Sequence, residues 1–198
     1  GPPAVAWNPA SLPLVTRSID LADRTQFYVV DIRDADAFAE GHIPNSVNIG
    51  LRGRLETWTG IMVPWGEETI VTGSEAEIRE ALFRLHRVGY TPRCLPFENW
   101  KSANLPMASN AKITPRQLYA QMQTLESPVV VDVRLPAEWM ALRIGTVVNI
   151  PLNELSSQAG ALDKSQPVIT VCNSAYRSSM AIGVLERQGF QNVSSMVG

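Results

Sequence analysis

Short runs of β-branched residues alternate along this chain with segments in which apolar side chains recur every three or four positions. Thr114 can cap a helix whose first residue is Pro115, and a second helical pattern runs over residues 178–188 and stops at Gly189. Three apolar runs in the second half predict buried strands: 129–133, 147–150 and 168–171. Strands that alternate with helices predict an α/β fold, in which a mainly parallel sheet is flanked by helices.

The second half of the chain repeats the first. Residues 29–33 (VVDIR) return as 130–134 (VVDVR), a displacement of 101 positions. Nearer the end of each copy the displacement is 100, as the match of Gly89 with Gly189 shows. A period of about 100 residues indicates a duplicated domain, since solenoid repeats span roughly 20 to 50 residues. We therefore predict two homologous domains: 1–108 and 109–198.

Composition restricts the classes of function. The 198 residues carry a net charge of −2, so the chain has no basic field that would attract nucleic acid. No apolar stretch approaches the roughly 20 residues that span a bilayer, so we expect no membrane segment and a cytoplasmic location. Cys94 and Cys172 do not make a disulfide framework, and His42 and His86 lie far apart in the sequence. We therefore expect no metal site.

One segment, 168–179 (VITVCNSAYRSS), combines features that suit a thiolate nucleophile. The apolar run ends at Cys172, four mostly small or polar residues follow, and Arg177 then opens a helical pattern. Backbone N–H groups of such a loop and of a helix start can converge on one point and attract an anion. The helix terminus and Arg177 both stabilise negative charge, so we expect Cys172 to react as its thiolate.

Simpler interpretations exist for several of these residues. A single cysteine at a strand end is more often core than nucleophile, but a core cysteine needs no arginine five positions later. Cys94 lacks such a loop and is predicted to be core. Arg134 and Glu138 have the spacing of a structural ion pair. Trp58, in the predicted loop 50–69, is interpreted as packing between domains rather than covering the site.

These motifs give the chain a resemblance to the tandem rhodaneses, a family of sulfurtransferases. Residues 40–49 (EGHIPNSVNI) resemble the structural signature of the family, 172–178 (CNSAYRS) its active-site loop and 97–101 (FENWK) its closing helix. The resemblance implies two α/β domains and a catalytic cysteine that carries sulfur as a persulfide. Ala175 stands where the loop usually has glycine, which matters if that position needs a positive φ. The second copy ends before any counterpart of the closing helix, so we expect it to be truncated at its C-terminus.

The first copy lacks the groups that the resemblance assigns to the chemistry. At a displacement of 100, Thr72 stands opposite Cys172 and Glu77 opposite Arg177. Threonine cannot form a persulfide, and glutamate places a negative charge where an anionic donor would bind. We therefore predict a non-catalytic first domain beside a catalytic second one. Such a pair resembles the C-terminal part of proteins that begin with a metallo-β-lactamase-like domain, which is a candidate partner in a longer parent protein.

The predicted reaction is a double displacement that requires no cofactor. The Cys172 thiolate attacks the outer sulfur of thiosulfate or of a low-molecular-weight persulfide, and a thiol or cyanide acceptor then attacks the new persulfide. Arg177 is expected to orient the donor. Backbone N–H groups of the loop are expected to hold the charge of the terminal sulfur, and they belong to Asn173, Ser174, Ala175, Tyr176, Arg177 and Ser178.

Two other functions fit part of the same pattern. Dual-specificity phosphatases of the cell-cycle group also close a cysteine loop with an arginine, but their loop is one residue longer than the four residues between Cys172 and Arg177. The shorter loop leaves a small pocket for a tetrahedral phosphate. Alternatively, both domains form a non-catalytic scaffold in which Cys172 is a redox sensor. A phosphatase assay tests the first alternative, and sulfur loading from thiosulfate tests the second.

Overall fold

The computed structural model describes Asn8 and residues 11–14, 27–145 and 147–197, and the statements below concern this part of the chain. The predicted first domain begins at residue 1, but most residues before Phe27 lie outside the described part of the chain. Two sheets are present among the described residues, and every strand pairing within them is parallel. Helices connect successive strands. The predicted α/β fold with two parallel, helix-flanked sheets is confirmed.

The first unit contains a four-stranded sheet. Its elements in chain order are β1 (Phe27–Asp31), α1 (Ala35–Glu40), β2 (Val47–Asn48), α2 (Leu55–Met62), β3 (Glu68–Gly73), α3 (Glu75–His86), β4 (Arg93–Pro96) and α4 (Phe97–Ser102). The strands lie in the order β2-β1-β3-β4. Leu14 forms a further parallel bridge to Cys94 on β4.

The second unit contains a five-stranded sheet. Its elements in chain order are β5 (Lys112–Ile113), α5 (Pro115–Met122), β6 (Val129–Asp132), α6 (Pro136–Ala141), β7 (Val148–Asn149), α7 (Leu152–Gln158), β8 (Val168–Val171), α8 (Tyr176–Arg187) and β9 (Val193–Met196). The strands lie in the order β5-β9-β8-β6-β7. The central strand β8 is buried along its whole length, as expected for a strand that is covered on both faces.

Local sequence signals explain where two of the helices begin and end. Thr114 accepts a hydrogen bond from the backbone N–H of Gln117, whose side chain accepts one from Thr114 in return, so a capping box starts α5 where the sequence predicted. Gly189, at φ 91°, follows the end of α8. Helix α8 begins at Tyr176, two residues before the predicted start at Ser178. No helix among the described residues has the length and apolar character that crossing a membrane requires.

The two units repeat one arrangement of side chains. In the first unit, the Arg33 guanidinium donates to the carboxylate of Asp31 at 2.6 Å. The side-chain amide of Asn48 donates to the carbonyl oxygens of both residues. The corresponding residues of the second unit make the same contacts: Asp132, Arg134 and Asn149. The duplication that the sequence predicted is therefore present in the hydrogen bonds at the ends of β1 and β6.

Helix α8 joins the two units. Gly183, in its middle, lies so close to the first unit that an added Cβ atom would be 2.2 Å from the carbonyl oxygen of Ser46. Near the start of the helix, Ser179 Oγ donates to Oδ1 of Asn48 at 2.7 Å. One hydrophobic core runs across both units. The loop 172–175 that precedes α8 is therefore held against the first unit by the same helix.

Asn110, just after the predicted domain boundary, is bonded to both units. The Asn110 N–H donates to the carbonyl oxygen of Ala39 at 3.0 Å, and the Asn110 side chain donates to Glu186 on α8 at 3.0 Å. Glu186 also lies 2.9 Å from Nε2 of the buried His42, which belongs to the 40–49 motif. This motif therefore contributes to the interface between the units. The domain boundary near residue 108 stays a prediction.

Candidate active site

Cys172 lies at the point where the central strand of the second sheet ends. Strand β8 pairs with β6 on one side and β9 on the other, and the chain leaves the sheet directly after Val171. The cysteine is 4% exposed, so protein covers nearly all of its surface. Ligands of α/β sheets bind beyond the carboxyl ends of parallel strands. The structure thus places Cys172 directly after the carboxyl end of the central strand, where its position in the sequence predicted it.

The loop after Cys172 turns sharply at Ala175, which has φ 59° and ψ −15°. Non-glycine residues rarely adopt this left-handed conformation, so the position does need a positive φ and alanine is strained there. The turn directs the start of α8 toward the cysteine: the Ser178 N–H donates to Cys172 Sγ at 3.3 Å, and Ser178 Oγ lies 3.4 Å from the same atom. Among the described residues no side chain caps α8, so its first N–H groups remain available to an anion.

Arg177 is already paired within the protein. Its Nη1 and Nη2 atoms donate to the two carboxylate oxygens of Glu138 on α6, at 2.7 and 2.8 Å, in a bidentate ion pair. The Arg177 guanidinium lowers the pKa of Glu138 to about 2, so this carboxylate is charged at neutral pH. The amide of Asn173 donates to Glu138 at 3.2 Å and accepts from Arg134 at 3.0 Å. Asn173 therefore connects two ion pairs beside the loop.

The predicted ion pair between Arg134 and Glu138 is wrong. Arg134 instead binds the carboxylate of Asp132, with donor-to-acceptor distances of 2.6 to 3.0 Å, because its side chain folds back onto the end of β6. Glu138 faces Arg177, which lies 39 positions later in the chain. A local spacing of four residues suggested the wrong partner, and no local pattern indicates the right one. Glu138 therefore lies beside the candidate site, although its sequence position predicted only a structural role.

Tyr176 ties the loop to the first unit. Its hydroxyl donates to the carbonyl oxygen of Gly50 at 3.0 Å. The ring lies over Gly53, where an added Cβ atom would be 2.3 Å from ring carbons. Burial raises the pKa of the Tyr176 hydroxyl to about 12, so it remains protonated and can donate. Tyr176 was predicted as a binding residue, and the structure places its ring in the contact between the units.

Two cavities meet at the ring of Tyr176 and at Ser174. The larger, about 730 Å³, lies between the loop and α2 and is called the apolar cleft; its lining includes Arg54, Thr57, Trp58, Ile61, Val133, Leu135, Leu152 and Arg177. The smaller, about 610 Å³, is called the acidic cleft; its lining includes Asp34, Arg52, Glu77 and Glu80. The loop after Cys172 therefore borders one cavity with two arginines and another with three carboxylates.

Trp58 lines the apolar cleft, although the sequence analysis treated it as a packing residue. The segment 50–69, predicted as a loop, contains the helix α2, and the half-buried Trp58 both packs on the core and faces the cleft. Trp65 is 66% exposed and contacts Tyr90 edge-on, outside the cleft. Trp58 and Ile61 are three positions apart on one helix face, a periodicity that identifies α2 in retrospect.

The first unit has a different residue at the equivalent strand end. Strand β3 pairs with β1 so that Thr72 lies opposite Asp31, whereas the equivalent aspartate, Asp132, lies opposite Val171. Thr72 therefore corresponds to Val171, a displacement of 99, and Gly73 corresponds to the cysteine. The predicted match of Thr72 with the cysteine is wrong by one residue. Past the helices the displacement is 100, as Gly89 and Gly189 show, so the second copy has one more residue than the first between this strand end and that glycine.

The helix after this strand end is capped by its own side chains. Ser74 Oγ accepts a hydrogen bond from the Glu77 N–H at 3.3 Å, and Glu77 accepts one from the Ser74 N–H at 2.9 Å. A Cβ atom at Gly73 would be 2.8 Å from the side chain of Ile32. The strand end of the first unit thus holds neither a thiol nor an uncapped helix terminus.

Cys94 has the surroundings of a core residue, as predicted. It lies within β4 and is fully buried, with an exposed fraction of 0%. Burial raises the pKa of the Cys94 thiol to about 12, so the thiol stays neutral at physiological pH. Because a neutral thiol is a poor nucleophile, Cys94 is unsuited to carry sulfur.

Comparison with protein families and curated proteins finds relatives that handle sulfur. The family model described as "Rhodanese-like domain" matches residues 17–102 and 114–198. The "Thiosulfate sulfurtransferase GlpE" of Pseudomonas fluorescens is 35% identical over 92 residues, which are 46% of this chain and 83% of that protein. The "tRNA sulfurtransferase" of Actinobacillus succinogenes is 33% identical over 76 residues, which are 36% of this chain and 16% of that protein. The chain spans 16% to 39% of the length of the first curated relatives that it matches.

Solved structures with a similar chain path include two sulfur-transferring proteins. A thiosulfate sulfurtransferase from Pseudomonas aeruginosa aligns with 91% of this chain and 39% of its own, at 23% identity and a TM-score of 0.41. The 3-mercaptopyruvate sulfotransferase SseA from Escherichia coli aligns with 91% of this chain and 95% of its own, at 17% identity and a TM-score of 0.41.

Proposed function

Because this chain belongs to the rhodanese-like domain family, we propose that it is a sulfurtransferase in which Cys172 carries sulfur as a persulfide. The observation that carries the proposal is the Ser178 N–H, which points at Cys172 Sγ from the uncapped start of α8. A fixed backbone donor stabilises a sulfur anion without having to reorganise during the reaction. The similarity to a thiosulfate sulfurtransferase supports the same kind of reaction.

The proposed reaction has two displacements at sulfur. In the first, the Cys172 thiolate bonds to the outer sulfur of the donor, whose own S–S bond breaks. The bonding electrons leave with sulfite when the donor is thiosulfate, or with a thiolate when it is an organic persulfide. In the second, a thiol or cyanide bonds to the outer sulfur of the Cys172 persulfide and releases the Cys172 thiolate. The thiolate is regenerated, so the cycle needs no external oxidant.

The remaining loop residues have positioning roles in this proposal. Arg177 orients the charged end of the donor, and Asn173 holds the Arg177–Glu138 pair in place. Ala175 supplies the left-handed turn that aims α8 at the sulfur, and Tyr176 anchors the loop on the first unit. The backbone N–H groups of the loop surround the terminal sulfur in the persulfide, and besides that of Ser178 they belong to Asn173, Ser174, Ala175, Tyr176 and Arg177.

We propose that the first domain is non-catalytic. Gly73 supplies no nucleophile at the strand end, and Glu77 supplies a carboxylate at the helix position of Arg177. The first domain contributes instead the carbonyl group that binds Tyr176 and the helix that faces the loop. Its proposed role is therefore to position the second domain's loop and to form part of its substrate cleft.

Sulfur loading of the intact chain tests the function. The protein is treated with thiosulfate or with an organic persulfide, and its mass is measured before and after, followed by peptide mapping. The expected result is one added sulfur on Cys172, which is removed when cyanide is added. Hydrolysis of a phosphate ester by Cys172 would support the phosphatase alternative. Oxidation of Cys172 by peroxide, without sulfur loading from either donor, would support the redox-sensor alternative.

A further inference from the structure

On the basis of the proposed sulfurtransferase function, we infer that the apolar cleft binds an organic persulfide or thiol that carries a carboxylate, and that it selects this class over small inorganic donors. Three observations support the inference: the size and lining of the cleft, the internal pairing of Arg177, and the unequal charge of the two cavities beside the loop.

The cleft is larger and more apolar than an inorganic donor requires. Its volume of about 730 Å³ lies within the roughly 300–1,000 Å³ of pockets that hold organic ligands. One wall consists of Trp58 and Ile61 on α2, and the other includes Leu135 and Leu152 of the second unit. Such walls favour the apolar body of an organic molecule. A strongly hydrated inorganic dianion would lose water against these walls without gaining hydrogen bonds from them.

The cation nearest the candidate nucleophile is already paired, so it can orient a small anion only beside or in place of its partner carboxylate. Nη1 and Nη2 of Arg177 each donate a hydrogen bond to Glu138, at 2.7 and 2.8 Å, and Asn173 adds a third contact to this carboxylate. A dianion such as thiosulfate must either displace Glu138 or approach beside its negative charge. On either route the dianion lies close to the negative charge of Glu138. This repulsion weakens the binding of thiosulfate.

The two cavities differ in the charge that they offer to a carboxylate. The acidic cleft presents Asp34, Glu77 and Glu80, which repel it. The apolar cleft presents Arg54, which is exposed and has no carboxylate partner within the described part of the chain. A molecule whose outer sulfur reaches the loop can therefore place its apolar body between the units and its carboxylate at Arg54. Because Trp58 lies on α2 and Arg54 directly precedes this helix, the first unit takes part in recognition.

The test uses glutathione persulfide and thiosulfate as alternative donors for the full chain, with cyanide as a common acceptor. In the loading step the Cys172 thiolate takes the outer sulfur of glutathione persulfide, and glutathione leaves as its thiolate. The kcat/KM for each donor is measured in the wild type and in Trp58→Ala and Leu135→Ala variants. Trp65→Ala is the matched control, because Trp65 is exposed and lies outside the cleft. Leu135 is 55% exposed, so its truncation is not expected to impair folding.

The expected wild-type preference for glutathione persulfide is about tenfold or more, and each cleft variant should reduce kcat/KM for this donor at least about fivefold more than for thiosulfate. Arg54→Ala should raise KM for glutathione persulfide with little change in kcat, and Arg52→Ala, which alters the acidic cleft, should not. Glu138→Gln should narrow the preference between the donors by improving the use of thiosulfate.

Two results would overturn the inference and leave the sulfurtransferase function intact. One is a wild-type preference for thiosulfate, and the other is an equal loss for both donors in the Trp58 and Leu135 variants. The second result would show that these two side chains support the fold and do not distinguish one donor from the other. If neither donor loads Cys172, the proposed function itself fails and the inference fails with it.

Discussion

The two sheets of this protein end differently at equivalent positions. In the first unit, Gly73 ends β3 and Ser74 caps α3 immediately after it. In the second, Cys172 follows β8, and the chain makes a left-handed turn at Ala175 before α8 begins. One additional residue in the second loop separates the two arrangements. Duplication therefore preserved the strands and helices, while the connection between them acquired two different geometries.

The difference shows how a helix terminus becomes available for chemistry. In α3 the first N–H groups are satisfied by a capping box, in which Ser74 and Glu77 exchange hydrogen bonds. In α8 no such box is found among the described residues, and the Ser178 N–H reaches Cys172 Sγ instead. Side-chain capping stabilises a helix by about 1 kcal/mol. The second unit lacks that stabilisation at α8, and in the proposed reaction the uncapped backbone donors hold a sulfur anion.

The largest effect is expected from removing the thiol that only the second strand end carries. Cys172→Ser should reduce sulfur transfer by at least about 10³-fold, because serine cannot form a persulfide. Cys94→Ser is the matched control and should retain transfer, since burial raises the pKa of the Cys94 thiol to about 12 and keeps it neutral. Steady-state transfer to cyanide and peptide mass mapping measure both. Transfer that survives in Cys172→Ser, or sulfur found on Cys94, would refute the assignment.

Arg177→Ala is expected to have the next largest effect. The change leaves the carboxylate of Glu138 unpaired beside the loop, so an anionic donor meets a repulsive charge where a neutral pair stood. We expect kcat/KM for thiosulfate to fall about 10²-fold and that for an uncharged organic donor only a few-fold. Arg177→Lys, which keeps the charge but cannot bind Glu138 through two parallel hydrogen bonds, should lie between.

Arg116→Ala, on the exposed face of α5, is the control for the loss of one positive charge and should leave both donors unaffected. Equal losses for the charged and uncharged donors in Arg177→Ala would mean that Arg177 only shapes the loop.

The local elements of the site follow from the sequence, whereas its long-range contacts do not. The apolar run 168–171 predicted β8 with its observed bounds, and Cys172 lies at the strand end as expected. The true partner of Arg177 could not be predicted, because Glu138 lies 39 positions away on another element. The match of Thr72 with the cysteine is wrong because it used the displacement of 100 found later in each copy. The additional residue of the second copy follows the strand end, so the displacement at the strand end itself is 99.

The apolar cleft also escaped prediction. It forms only where α2 of the first unit faces the loop of the second, so its existence depends on how α8 packs between the units. Hydrophobic periodicity reports which face of a helix is apolar, and it does not report which distant segment that face meets. A half-buried Trp58 is compatible with either packing or recognition until the opposing surface is known.

A moderate effect is expected from disturbing the contact through which the first unit holds the loop. An added Cβ atom at Gly53 would be 2.3 Å from the Tyr176 ring, so Gly53→Ala must displace this ring and the loop that carries it. We expect sulfur transfer to fall about tenfold while the protein stays folded, since small misplacements of a reacting group are costly. Gly60→Ala is the matched control, because no atom lies within 4 Å of its added Cβ.

Activity measurements together with thermal unfolding separate the two effects of Gly53→Ala. Undiminished transfer in Gly53→Ala, with unfolding unchanged, would show that the first unit does not position the loop.

A smaller effect concerns stability in acid. Arg177 lowers the pKa of Glu138 from its ordinary value of 4.5 to about 2. The pair therefore contributes its full stabilisation above pH 4.5 and loses it as the pH falls through about 2. Glu138→Gln should lower the free energy of unfolding by at most about 1 kcal/mol at pH 7, because the pair is partly exposed. The difference from the wild type should shrink between these two pH values, as urea unfolding at each pH would show.

The first unit offers a comparison for this measurement, since Arg84 lowers the pKa of Glu56 to about 2 in the same way. Glu56→Gln should follow the same pH dependence. A stability difference for Glu138→Gln that stays constant from neutral pH down to pH about 2 would show that Glu138 acts through packing rather than charge.

The smallest effect is expected from restoring only the missing side chains of the first unit. In a Cys172→Ser background, Gly73→Cys combined with Glu77→Arg should add no sulfur to the protein, because the loop remains one residue short and the new Cβ would be 2.8 Å from Ile32. Replacing residues 73–77 by the sequence of 172–177 restores the length as well, and this graft should load sulfur if the turn is what directs the helix N–H groups. Intact mass after treatment with donor measures both proteins. Sulfur on the doubly substituted protein would show that side chains alone account for the difference between the two units. A graft that unfolds like the native protein but loads no sulfur would show that the turn is insufficient without the surrounding cleft.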